Sequence, residues 1–271
     1  MQPTTARPTL DDPTNGVSVG RIAKPLRDIA RGGLAGLLTG IMVAGIGGRA
    51  VMRAAALLVP EAAGRFTDNG NRIGEITLSG TLGLVLAGGL FFGLFGAVVW
   101  VVVSPWIPGA GWTRALMAMP VAVSLTGISL IQARNPDFLV LQHDAATVVL
   151  LLALISLAGL VIAGFDSWLD RRLPSATASA RADAIYLALT VAGGGLIFPI
   201  VVTGYLGEER PLGLALIAVG VATLIRWTIR YQGRPSSPTW LVVAGRGSLL
   251  VAVVLGVLAL APDIATALGA S

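Results

Sequence analysis

The chain has 271 residues, of which 55% are hydrophobic and only 12% charged, with 35 glycines and a formal net charge of +5. A soluble domain carries about 25% charged residues, so this composition excludes a water-soluble fold and identifies an integral membrane protein. Cysteine is absent, which rules out disulfides, thiolate metal sites and iron–sulfur clusters.

Residues 1–22 are rich in Pro, Thr and Asp and have no apolar core, so they read as a disordered cytoplasmic tail rather than a cleaved signal. Seven apolar segments follow, at about 32–52, 78–103, 115–132, 147–165, 184–206, 212–229 and 241–261. Each approaches the roughly 20 residues that a helix needs to cross about 30 Å of hydrocarbon. The expected fold is therefore all-α: a polytopic transmembrane helix bundle of seven spans. Residues 23–172 would form a four-helix unit, 173–183 ("LPSATASARAD") a cytoplasmic linker, and 184–271 a three-helix unit.

Charge sets the expected orientation. With the N-terminus inside and the C-terminus outside, 13 of the 19 basic residues and 6 of the 14 acidic residues fall on the cytoplasmic side, as the positive-inside rule requires. Trp100, Trp106, Trp112, Trp168, Trp227 and Trp240 then lie near the inner boundary, where an amphipathic indole is at home in the headgroup layer. Lys24 is the single lysine among the basic residues, and with the Ala/Gly/Val/Leu bias this suggests a high-GC bacterial genome. A bacterial cytoplasmic (inner) membrane is the expected location. The pI near 10.6 is read as a topology signal, not as a sign of nucleic-acid binding.

In the first span Gly32, Gly36, Gly40, Ala44 and Gly48 recur every four residues. Gly89, Gly93 and Ala97 repeat the pattern in the second span, and Ala244, Ser248, Ala252 and Gly256 in the seventh. Such faces let helix backbones approach closely. Packing within one subunit is the first reading, and a homo-oligomer joined through these faces the second; the lipid bilayer is the only other partner expected.

The outer end of the first span carries Arg49 and Arg53 in "GGRAVMR". They sit near the far boundary, where arginine can snorkel, or else they join a buried polar cluster. Outer-loop carboxylates, Glu61, Asp68 and Glu75 among them, are within reach in sequence. The candidate cluster is Arg49, Arg53, Glu75, Asn135 and Asp137. In the same loops Asn69-Gly70 suggests a hairpin with an arm over Ile73 to Leu78, Asp144 an N-cap for the fourth span, and His143, the only histidine, an interfacial residue.

The fifth span contains Gly193, Gly194, Gly195 and Pro199. A break there would free backbone groups of the kind transporters use to hold a solute at the midplane; a simple kink is the alternative. No lysine stands in the last span for a retinal Schiff base, no pair of midplane aspartates for intramembrane proteolysis, and no HExxH or P-loop motif is present. No catalytic residue, metal set or cofactor is assigned. A non-enzymatic structural or interaction protein is the leading expectation, a small-solute or ion permease the second, and a membrane enzyme the third.

Three stretches carry a likeness: "RIGEITLSGTLG" at 72–83, "NPDF" at 135–138 and "DSWLDRRLP" at 166–174. Together they resemble a group of uncharacterised multi-pass bacterial membrane proteins, over about residues 30–175. The stretch "VVWVVVSPWIP" lacks the arginines that the group has after its second span. The resemblance implies a common four-helix unit and attaches no activity to it.

Overall fold

The computed structural model describes residues 13–58, 60, 64–65, 74, 77–131, 145–175, 180–191, 203–204, 206–207, 209–232, 234 and 236–268. Among these residues the chain is helix and turn, with no strand. Six helices are long and apolar enough to cross a membrane: Lys24–Leu58, Leu78–Val103, Gly111–Leu130, Ala145–Arg172, Arg210–Tyr231 and Thr239–Ala267. They are the first, second, third, fourth, sixth and seventh spans. The fifth is represented by the helix Ala180–Val191; its expected break at Gly193, Gly194, Gly195 and Pro199 lies outside the described residues.

The described residues on either side of the fifth segment are anchored locally. Tyr186 donates from its hydroxyl to the carbonyl of Pro174, at the end where the fourth span finishes. Leu206 packs against Gly213 at the start of the sixth span. That span is 22 residues long, or about 33 Å at 1.5 Å per residue, and returns the chain to the first end. Six spans are thus seen among the described residues, with the helix Ala180–Val191 packed on the first of them.

Helix ends run beyond the apolar segments. The first helix opens at Pro13, within the segment expected to be a disordered tail; proline's fixed φ suits the first helical turn, where an amide has no acceptor anyway. The fourth and seventh helices have 28 and 29 residues, or roughly 42 Å, against about 30 Å of hydrocarbon. The extra turns carry charged groups into the headgroup layers. Leu57, Leu78, Phe91, Leu214, Leu224, Val243 and Leu250 are exposed, as side chains facing lipid should be.

The small-residue faces of the first two spans meet each other. A Cβ on Gly36 would collide with the backbone of Ala97, and one on Gly40 with the backbones of Gly89 and Gly93. Beyond Gly40 the stripe departs from its four-residue period, because residues Gly40–Gly47 form a π-helix. Gly45 is buried close against Val85, whereas Ala44 is only half-buried. A π turn closes at i→i+5, so the contact advances by five residues. Thr39 precedes this segment and donates its hydroxyl back to the Ala35 carbonyl at 2.8 Å, an arrangement that loosens the helical ladder. A second π segment, Leu84–Gly89, lies on the facing helix, and the two pack together.

The remaining spans close around the same contacts. Gly159 of the fourth span meets the Ala118 backbone of the third, and Gly256 of the seventh meets the Ser124 backbone of the third. Ala252 is fully buried, whereas Ala244 at the other end of that stripe is exposed.

Trp100 and Trp106 are core residues, not members of an interfacial belt; Trp106 is only 1% exposed. Burial is possible because the Trp106 indole N–H donates to Thr223 Oγ1 at 2.8 Å, and Thr223 in turn donates to the carbonyl of Val102. Trp112, Trp168 and Trp240 are exposed as expected.

Candidate functional site

The densest polar constellation among the described residues lies at the end of the bundle where the first span begins, the end expected to be the inner one, which sequence reading had treated only as a topology signal. Arg27 and Arg31 stand four residues apart on the first span, and Asp166 and Asp170 stand four apart on the fourth. Residues at i and i+4 share a helix face, and the two helices run antiparallel, so the pairs meet rung against rung. Arg31 Nε donates to Asp166 Oδ1 at 2.8 Å, and Arg31 Nη1 to Asp170 Oδ1 at 2.7 Å. Arg27 Nη1 donates to the same Asp170 oxygen at 2.8 Å, while its Nε reaches the Pro174 carbonyl at 2.9 Å.

Asp166 is the centre of the network, with 2% of its side chain exposed. Its second oxygen accepts from Arg114 Nη1 at 3.0 Å. Arg114 enters from the first turn of the third span, where the tight connection from the second span runs through Gly109 and Gly111, both at positive φ. The guanidinium also donates to the Ser104 carbonyl at 3.0 Å and lies 5.3 Å from the centroid of the Trp100 ring. The sixth span joins through Arg230, which donates to Asp28 Oδ2 at 2.8 Å. Four guanidiniums and three carboxylates thus tie the first, third, fourth and sixth spans together.

The chemistry of this arrangement is that of a clamp. Each Asp166 oxygen accepts from an arginine, one on the first span and one on the third, so the carboxylate bridges them. Charge-assisted bonds of this kind are about twice as strong as neutral ones. The sequence signal was "RDIAR" set against "DSWLD": matching i,i+4 charges of opposite sign at the ends of two helices.

At the outer end, Arg49 is buried, with 6% exposure, and its Nε has no hydrogen-bond partner among the described residues. Its guanidinium lies against Gly80, where a side chain would collide with it. Eighteen residues separate it from Arg31, or roughly 27 Å of helix, close to the thickness of a hydrocarbon core. Arg53 is exposed and donates to the carbonyl of Gly74. Glu75, Asn135 and Asp137, the other members of the expected cluster, lie outside the described residues, as do His143 and Asp144. The expected hairpin arm to Leu78 ends otherwise: Thr77 caps the second span through its side chain, and Leu78 is the first helical residue.

Comparison with known proteins finds no matching family model, no matching curated protein and no matching solved structure.

Proposed function

We propose that this multi-pass membrane protein is a non-enzymatic structural or interaction protein, inserted in a bacterial cytoplasmic membrane with its N-terminus inside. The observation that carries the reading is the state of Asp166: a buried carboxylate with both oxygens bound to arginines from two other spans. Such a group holds helices at fixed spacing. The arginine-rich end of the bundle is the one that the positive-inside rule assigns to the cytoplasm, and the resemblance to multi-pass bacterial proteins agrees with that membrane.

Proteoliposomes test the reading. Solute swelling and ion leakage should equal those of protein-free vesicles; flux that scales with protein content would move the protein to the permease class. One observation favours that second reading: the facing π segments Gly40–Gly47 and Leu84–Gly89. Such segments recur at functional sites in other helices. If a permease, the protein would move solute beside this pair, and Gly40→Ala would abolish the flux.

A further inference from the structure

The clamp does not absorb all the positive charge at the inner end. Arg226 of the sixth span is half-buried and makes no ion pair among the described residues. Its guanidinium lies 5.5 Å from the centroid of the Trp106 ring, and Gly245 of the seventh span is pressed against the same ring. Arg246 is therefore adjacent, exposed, and also without a carboxylate partner among the described residues. Arg230, one helical turn from Arg226, spends one nitrogen on Asp28 and stays 42% exposed. Arg226 lies within Coulomb range of Arg114, Arg230 and Arg246, opposed among the described residues by Asp28.

Like charges gathered at a low-dielectric boundary repel one another, and among the described residues one carboxylate, Asp28, faces four guanidiniums. The surroundings point to the missing anion. Toward the hydrocarbon from Arg246, Leu250 and Val254 follow at four-residue spacing on the same face of the seventh span and are exposed, and exposed Trp240 sits in the first turn of that helix. The patch thus combines guanidiniums at headgroup depth with an open apolar face at acyl-chain depth. Guanidinium forks match phosphate geometry, and basic pockets between spans on the inner side hold anionic headgroups. We infer that Arg226, Arg230 and Arg246 form a binding site for the phosphate of an anionic phospholipid, seated between the sixth and seventh spans with its chains along their outer faces.

The test uses the full-length protein in detergent micelles doped with phosphatidylglycerol or phosphatidylcholine, read by retained lipid in native mass spectrometry and by melting temperature. The wild type should retain phosphatidylglycerol and melt higher with it, while phosphatidylcholine and inorganic phosphate at matched concentration have no effect. Arg246→Gln, at an exposed position where folding is not at stake, should weaken retention about fivefold, and Arg226→Gln with Arg246→Gln about 30-fold. Arg65→Gln at the opposite end should match the wild type. Equal retention by wild type and Arg246→Gln, or equal stabilisation by inorganic phosphate, would overturn the assignment.

Discussion

Replacing Asp166 by alanine removes the centre of the inner clamp, and the structure says which group is then stranded. Arg31 keeps its bond to Asp170 at 2.7 Å, but Arg114, with 21% of its side chain exposed, loses its only carboxylate. Removing one partner of a buried ion pair costs about 3–5 kcal/mol, chiefly because the other charge is left uncompensated. For a protein of this size that corresponds to a fall in melting temperature of roughly 6–20 °C, measured by size-exclusion after heating in mild detergent. Asp170→Ala is the internal control: that side chain is 51% exposed, and exposed pairs contribute about 0–1 kcal/mol. The double variant Asp166→Ala, Arg114→Leu should recover part of the loss, since it removes the orphaned charge along with its partner. If Asp166→Ala melts no lower than Asp170→Ala, the clamp does not hold the bundle and the reasoning fails.

Other outcomes follow from single contacts. Gly36→Leu should abolish folded yield, because a side chain there meets the Ala97 backbone, whereas Gly33→Leu, with nothing within 4 Å of its Cβ, should express like the wild type; fluorescence size-exclusion distinguishes them. Thr223→Val strands the buried Trp106 N–H and should cost about 1–3 kcal/mol in a detergent melt. Arg49→Glu should fail to fold if the buried guanidinium is paired at the outer end; normal expression of this variant would dismiss the outer cluster. Because the chain has no cysteine, single cysteines at Trp112 and Arg65 should be labelled by impermeant reagents from opposite faces, Trp112 from the cytoplasm.

The bundle itself was legible in composition and span length, because the bilayer imposes a helix and a minimum run of apolar residues on any crossing. The pairing of the first two spans was legible as well, in Gly36, Gly40, Gly93 and Ala97. The shift from Ala44 to Gly45 was not: a four-residue period assumes one helical pitch throughout, and the π segment changes the pitch without a sequence mark. Trp100 and Trp106 misled because boundary position in sequence does not reveal whether a side chain turns toward lipid or toward Thr223. The inner clamp was missed for a different reason. Arg27, Arg31, Asp166 and Asp170 were counted by side rather than by helix face, and only their face shows that the opposite charges coincide. Of the expected outer cluster, Arg49 and Arg53 are placed, one buried and one exposed, and the residues expected to complete it are outside the described part of the chain.

The clamp also imposes an order in time. Arg31 and Asp166 are 135 residues apart in the chain, and Arg230 and Asp28 are 202 apart. At about 5–20 residues per second of synthesis, Arg31 emerges roughly 7–27 s before its partner exists. During that interval Arg31 has Asp28 of its own helix, at 3.8 Å, as its carboxylate neighbour, and the acids of the fourth span are still to come. Helix insertion and helix locking are thus separate events, and the fourth span, on arrival, is the one that closes the lock.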